Sequence, residues 1–362
     1  MKIRSEFLIP TKSYADNTPE AVPGILDCSL GENPYGFSPR VRTALVDFDL
    51  ERLAHYPHSH AATDAIIAHW SNQAALKPEN ILLTDGSISA LYFINGLFSV
   101  PGAKVLGCAP TFTDMAVNVR MLGMEFLATP MTADTCRVDV EALLAAITPE
   151  LSLVYLDNPN NPTGQTLPLA DVERLVRRAA EKDVAILVDE AYGDFIPREE
   201  SALTLLGRFP NLIVTRTFSK GFGLAGLRAG CILAAPELIG YMGKTSNPYM
   251  MNELTRMAVA AALGDAEHPV AHAAEFAATK RALANRTGHR LTLLETDFRV
   301  PICTLRHRDS AADLQRLLYK EGVLTVSGAE FDGLGANSVR LRVPCPGETE
   351  RLFAAAEKID RG

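Results

Sequence analysis

The chain has 362 residues, 47% of them hydrophobic, and its 35 Lys and Arg against 43 Asp and Glu give a formal net charge of −8. At about 150 residues per domain, this length predicts roughly two domains, one with a large core and one with a smaller core. The acidic balance excludes a chain-wide basic footprint for nucleic acid, and the ordinary apolar content excludes wholesale disorder.

The N-terminal segment opens with Lys2 and Arg4 but offers only Phe7, Leu8 and Ile9 before Pro10. That run is too short for a secretory signal. No window supplies the roughly 18 uncharged apolar residues of a membrane-spanning helix. The best candidate, 223–243, contains Arg228, Pro236 and Glu237. Residues 1–35 carry few periodic signals and several prolines, and are expected to pack on the smaller unit or on a partner subunit. The six cysteines are dispersed with no CxxC pair, which predicts free thiols in a reducing, cytoplasmic setting.

In chain order, strands are predicted at 81–83, 104–108, 151–156, 184–188, 212–215 and 230–234. Helical patterns fall between them at 87–98, 113–122, 169–182 and 237–242. The run from Val184 to Val188 is apolar throughout, as a strand buried on both faces requires. This α/β alternation implies a mostly parallel central sheet covered by helices. Beyond Lys244 come a long helical stretch at 252–290 and a strand at 303–306. A helix at 310–320, strands at 323–326 and 339–343 and a last helix at 348–359 complete a smaller α/β unit. The expected organisation is an N-terminal segment (1–36), a large domain (37–244) and a small domain (245–362).

Chemistry concentrates in the run from Thr217 to Arg228. After a strand it offers the hydroxyls of Thr217 and Ser219, the amine of Lys220 and the guanidinium of Arg228. Such groups, with backbone N–H donors, suit a phosphate. The spacing Gly221, Gly223, Gly226 is formally GxGxxG. A nicotinamide site needs that string after the first strand, with an acid about 20 residues on. Here it follows the fifth predicted strand, and no acid ends the strand at 230–234, so a nicotinamide oxidoreductase is the disfavoured alternative. Three further strings fall at strand ends: Asp85 to Ser89 (with Gly86, Ser87 and Ile88), Asn158 to Gly164, and Asp189 to Tyr192. Ligands of open parallel sheets bind at that edge. Each string alone has an ordinary reading: a turn, a solvated strand end, or, for Phe112, core. Their joint order is what carries the argument.

In that order the sequence resembles the fold-type I, pyridoxal-5′-phosphate-dependent class I/II aminotransferase superfamily, nearest the histidinol-phosphate aminotransferase and threonine-phosphate decarboxylase branch. The strings involved also include Gly31 to Gly36, Tyr56-Pro57, Pro110 to Phe112 and Val339 to Val343. The resemblance implies that Lys220 forms the Schiff base with the cofactor and moves the proton at the substrate α-carbon. It implies that Asp189 pairs with the pyridine nitrogen and that Asn161 and Tyr192 donate to the phenolic oxygen. Gly86, Ser87, Ile88, Thr217, Ser219 and Arg228 would hold the phosphate, with Phe112 stacked on the ring. Arg340 would grip a substrate carboxylate, with Tyr35 and Asn161 beside it. Tyr56 would reach the neighbouring subunit's cofactor phosphate, which implies a homodimer with shared sites. The implied reaction moves an amino group between a small amino acid, or an amino-phosphate, and a 2-oxo acid. Decarboxylation of an amino acid is the alternative within the fold, and the string Glu330 to Leu334 is similar to that branch.

Two features depart from the resemblance. Val326 and Ser327 stand where the phosphate-substrate branch has an arginine, and Glu330 follows. Arg342 shares a strand face with Arg340 and is a candidate second cation. The histidines 55, 58 and 60 flank Tyr56-Pro57 without further ligand-like spacing, and read as a polar loop rather than a metal site.

Overall fold

A computed structural model describes residues 2–8, 19 and 21–362. The predicted N-terminal segment, 1–36, therefore lies in part outside the described residues. Its described part includes β1 (Leu26–Asp27), which pairs in parallel with β11 (Val323–Leu324) of the smaller unit.

The central sheet holds β2 (Ile81–Thr84), β3 (Lys104–Ala109), β4 (Glu125–Pro130), β5 (Leu153–Asp157), β6 (Ala185–Asp189), β7 (Leu212–Thr217) and β8 (Gly230–Ala234). Their order is β2-β8-β7-β6-β5-β3-β4. Only β8 runs antiparallel to its neighbours. Alternate residues enter opposite cores, as period two requires. Val154, Ile186, Val188 and Val214 join the core on one face. Leu153, Tyr155, Leu187 and Ile213 join the core on the other. This double burial explains the unbroken apolar run at 184–188.

Helices α1 (Pro39–Val46), α2 (Ala61–Trp70), α3 (Gly86–Phe98), α4 (Thr113–Met121), α5 (Val140–Ala146), α6 (Leu169–Glu181) and α7 (Pro236–Gly243) accompany this sheet. Helix α6 shows the amphipathic rule, burying Val172, Leu175, Val176 and Ala179 along one stripe.

The predicted helix at 252–290 is two helices, α8 (Glu253–Leu263) and α9 (Ala273–Arg286). The chain between them contains Gly264 and Pro269, which interrupt helical hydrogen bonding. Helix α8 sends Ala258, Val259, Ala262 and Leu263 into the large core. We therefore propose that the smaller unit begins in the segment after α8. It contains β9 (Leu291–Leu293), β10 (Ile302–His307), β12 (Val326–Ser327) and β13 (Ser338–Arg342), in the antiparallel order β12-β13-β10-β9. Helices α10 (Leu314–Lys320) and α11 (Thr349–Arg361) pack with it, around Leu305, Leu318, Leu341 and Leu352. The predicted strand 323–326 divides, because β11 pairs with β1 while β12 pairs with β13.

Asp360, near the end of α11, ties that helix to the start of β9. Its Oδ1 accepts the backbone N–H groups of Gly288, His289, Arg290 and Leu291 at 2.7–3.2 Å. Those bonds outweigh desolvation and hold its carboxyl down at about 2. Replacing Asp360 with Ala is expected to cost about 2–3 kcal/mol in urea unfolding. A depressed pKa gives stability above the ordinary carboxylate value. The wild-type advantage should therefore hold at neutral pH and vanish as pH falls from about 4 toward about 2.

Candidate active site

A cavity of about 440 Å³ opens where the carboxyl ends of β5, β6 and β7 meet β13 of the smaller unit. Its wall includes Ser87, Ile88, Phe112, Asn161, Asp189, Tyr192, Thr217, Ser219, Lys220, Arg228 and Arg340. These residues span more than half the chain. Most of the residues expected from the sequence thus share one space.

One end of the cavity is a ring of donors. Helix α3 starts there, and its cap residue Asp85 makes no side-chain capping bond. Gly86 at the first position has φ +79°, and a Cβ there would sit 2.6 Å from Arg228 Nη2. Glycine therefore lets the guanidinium lie against the helix start. Arg228 itself is left-handed, φ +51°, and donates to Ser219 Oγ at 3.3 Å and to the Ala225 carbonyl at 3.0 Å. Thr217 Oγ1 lies 3.0 Å from Ser219 Oγ. Helix amides, two hydroxyls and a guanidinium match the donor set of a phosphate dianion.

At the other end two acids are buried side by side. Asp157 and Asp189 end β5 and β6 and are direct register partners. Asp189 accepts from Thr215 Oγ1 at 2.8 Å and Tyr155 Oη at 3.3 Å. Burial, with Asp157 nearby, pushes its carboxyl up to about 7. Asp157 accepts from Thr111 Oγ1 (2.8 Å), Asn160 Nδ2 (2.9 Å) and the amides of Phe112 (3.2 Å) and Asn161 (3.0 Å). Burial still dominates and pushes it up to about 6. A buried, raised acid at a cavity wall suits the protonated nitrogen of a heteroaromatic ring.

Lys220 stands on the turn after β7, its Nζ 5.7 Å from the Tyr192 ring centroid. Tyr192 is 2% exposed, and burial raises its phenol. Gly31 keeps this corner open, since a Cβ there would meet Tyr192 Oη at 2.0 Å and Lys220 Nζ at 3.2 Å. Arg340, 2% exposed, donates to Asn161 Oδ1 at 3.3 Å and also to the Ser29 carbonyl.

Three expected residues lie elsewhere. Tyr35 is not in the cavity wall; it stacks on His272 with centroids 3.4 Å apart and planes 4° apart. Tyr56 is 72% exposed and stacks on Tyr249 at 4.6 Å. Arg342 turns away and donates to the carbonyls of Asp27, Leu30 and Val343. Sequence reading missed Asp157, Glu32 and Asp114 as wall residues. Asp157 directly precedes the Asn158 string and Glu32 lies within the Gly31 string, so both had a signal. Thr215 and Tyr155, which orient Asp189, had none. Among the described residues no group of three His, Cys, Asp or Glu is placed to hold a metal ion, and no helix is long and apolar enough to cross a membrane.

The profile of aminotransferases of class I and II matches residues 23–359. The chain belongs to that family. It is a pyridoxal-phosphate-dependent aminotransferase of fold type I. It is 34% identical to histidinol-phosphate aminotransferase 2 of Burkholderia pseudomallei, over 92% of each chain. It is also 34% identical to the histidinol-phosphate aminotransferase of Lactiplantibacillus plantarum, where the match spans 66% of each. The solved structure of histidinol-phosphate aminotransferase from Sinorhizobium meliloti, in complex with pyridoxal-5′-phosphate, superposes with a TM-score of 0.77 at 25% identity. That likeness covers 93% of this chain and 91% of the solved one. The donor ring at Arg228 and the buried acid at Asp189 fit that cofactor's phosphate and pyridine nitrogen.

The raised acids have a measurable consequence in the cofactor-free aminotransferase. An acid whose pKa rises on folding stabilises the protein below its unfolded value and loses that contribution as pH climbs through the folded one. For Asp189 the window runs from about 4 to about 7. Over that range the melting temperature is expected to fall more steeply in the wild-type protein than in Asp189→Asn, as differential scanning calorimetry can read.

Proposed function

We propose that the aminotransferase moves an amino group between a small amino acid and a 2-oxo acid, with Lys220 as the residue that carries the cofactor. The reading rests on the convergence of Lys220, Asp189, Arg228 and Arg340 on one cavity wall. Bound pyridoxal 5′-phosphate supplies an aldehyde carbon for the amine and a conjugated ring that accepts the electron pair released at the substrate α-carbon.

The chain's own groups do the rest. Arg228, Ser219, Thr217 and the first amides of α3 bind the phosphate and fix the position of the ring. Asp189 keeps the proton on the ring nitrogen, and a cation beside it draws its raised carboxyl back to the ionised form. Asn161 and Tyr192 donate to the phenolic oxygen, and Phe112 covers a ring face. Arg340 holds the substrate carboxylate in a planar fork. Lys220 Nζ would take the proton from the substrate α-carbon and hand it on to the cofactor's former aldehyde carbon, the shift that amino transfer requires.

We also infer a homodimer. Tyr56 lies outside its own cavity, largely exposed and stacked on the exposed Tyr249, which suits a residue reaching a partner's site. The six free thiols favour a reducing cytoplasm.

The purified protein should show a visible band that borohydride bleaches. Lys220→Ala should bind the cofactor without a covalent link and lose turnover; retained turnover sinks the assignment. With a panel of amino acids, oxo-acid formation is expected, whereas release of carbon dioxide alone would replace transamination with decarboxylation. Arg340→Lys should raise KM for the amino acid about tenfold or more while leaving the visible band in place. Sedimentation analysis should give a dimer, and a monomer with full activity removes the shared-site reading.

A further inference from the structure

Asp157 carries the proposed function one step further, to how the site holds a ring. Its side chain forms part of the cavity wall and is buried. Asp157 and Asp189 are register partners on parallel strands, so both carboxylates leave the sheet on the same face.

The partners of Asp157 select its charged form. Oδ1 accepts from Thr111 Oγ1 at 2.8 Å and Asn160 Nδ2 at 2.9 Å. Oδ2 accepts the amides of Phe112 at 3.2 Å and Asn161 at 3.0 Å. The Asn160 side chain cannot be reversed, because its Oδ1 already accepts from the Thr163 amide at 3.2 Å and the Thr163 hydroxyl at 2.6 Å. Three of the four partners are N–H groups, which donate and do not accept, and an ionised carboxylate is the acceptor-only form of the side chain. Burial raises the carboxyl only to about 6, which leaves it ionised at neutral pH. The other titratable neighbours besides Asp189 are Tyr155 on β5 and Cys108 on β3, both kept neutral because burial raises the phenol and the thiol.

The two amides come from different loops. Phe112 stands between β3 and α4, and Asn161 in the loop after β5. One carboxylate thus ties the aromatic side chain of the wall to the residue read above as a donor to the phenolic oxygen. We propose that Asp157 is a positioning residue for the cofactor: its oxygens hold Phe112 and Asn161 at the ring, and its charge backs Asp189 in keeping the proton on the ring nitrogen. A like charge beside Asp189 strengthens the hold of that acid on a cation. The inference rests on the reading that Asp189 meets the ring nitrogen, and its test separates the two.

Pyridoxine 5′-phosphate has the ring and the phosphate but no aldehyde, so it probes the site without a bond to Lys220. Its binding to the cofactor-free protein can be measured by calorimetry beside that of inorganic phosphate. Asp157→Asn keeps the size of the side chain and removes its charge. It is expected to weaken pyridoxine 5′-phosphate about tenfold while phosphate stays within about twofold of wild type. Nitrogen NMR of the ring-labelled ligand near neutral pH should move from the protonated toward the neutral position. Thr111→Val removes one donor from Asp157 at a residue outside the cavity wall. It should weaken the same ligand about threefold, and it carries the test if Asp157→Asn does not fold. Unchanged affinity and an unchanged nitrogen signal in these variants overturn the inference. So does a parallel loss of phosphate affinity, which marks a general structural role. A wild-type protein that binds pyridoxine 5′-phosphate no tighter than phosphate overturns the ring-nitrogen reading instead.

Discussion

The site is organised around two carboxylates that face each other across adjacent strand ends. Asp157 and Asp189 are register partners in the interior, an arrangement that like-charge repulsion and desolvation both oppose. The structure offsets this unequally. Asp157 collects side-chain donors and two backbone amides, and in doing so it fixes the loop after β5 and the approach to α4. Asn161 and Phe112 stand on the cavity wall because their amides answer that acid. Asp189 receives Thr215, Tyr155 and the Ala191 amide, yet its carboxyl is pushed up further, to about 7 against about 6 for Asp157, so more of its cost is left for a bound cation to relieve. A ring nitrogen carrying a proton completes what the protein alone leaves unbalanced.

A second set of contacts joins this edge to the smaller unit. The segment through β1 lies along β11, and the Arg342 amide donates to the Cys28 carbonyl at 2.8 Å. A few residues on, Asn33 Nδ2 donates to the Gly221 carbonyl at 2.8 Å, next to Lys220. The described part of the N-terminal region therefore links β13, which bears Arg340, to the turn that bears Lys220. Behind that turn, buried Arg216 pairs with Glu190 at 2.6 Å and with Asp194, and lies over the Trp70 ring at 4.8 Å. A buried ion pair adds little net stability, but it constrains geometry. Here it holds the ends of β6 and β7 in fixed relation.

Much of this was legible beforehand, for identifiable reasons. The strand at 230–234 and the strand ends near 156, 188 and 215 were marked by runs of Val, Ile and Leu, because strands buried on both faces must be apolar. Edge strand β4 was missed, since its half-exposed residues show no such run. The helix break after Leu263 was hidden by an alanine-rich composition that favours helix on both sides. Residues with distinctive chemistry at strand ends, such as Lys220, Asp189 and Arg228, could be named in advance. Thr215 and Tyr155 could not, because inward-facing strand residues look like core until their partners are known.

The sequence by itself determined the family, the alternation of strands and helices, and the residue types that a phosphorylated aldehyde cofactor needs. Those are local properties, written in periodicity and short strings. Only the tertiary structure decided which residues meet. It set Arg340 against Asn161 across 179 positions of chain, moved Tyr35 out of the wall to stack on His272, and turned Arg342 toward backbone carbonyls. It also put Val326 and Thr304 on either side of Arg340. Strand register and side-chain direction depend on how separate sheets and segments pack, and no window of sequence contains that information.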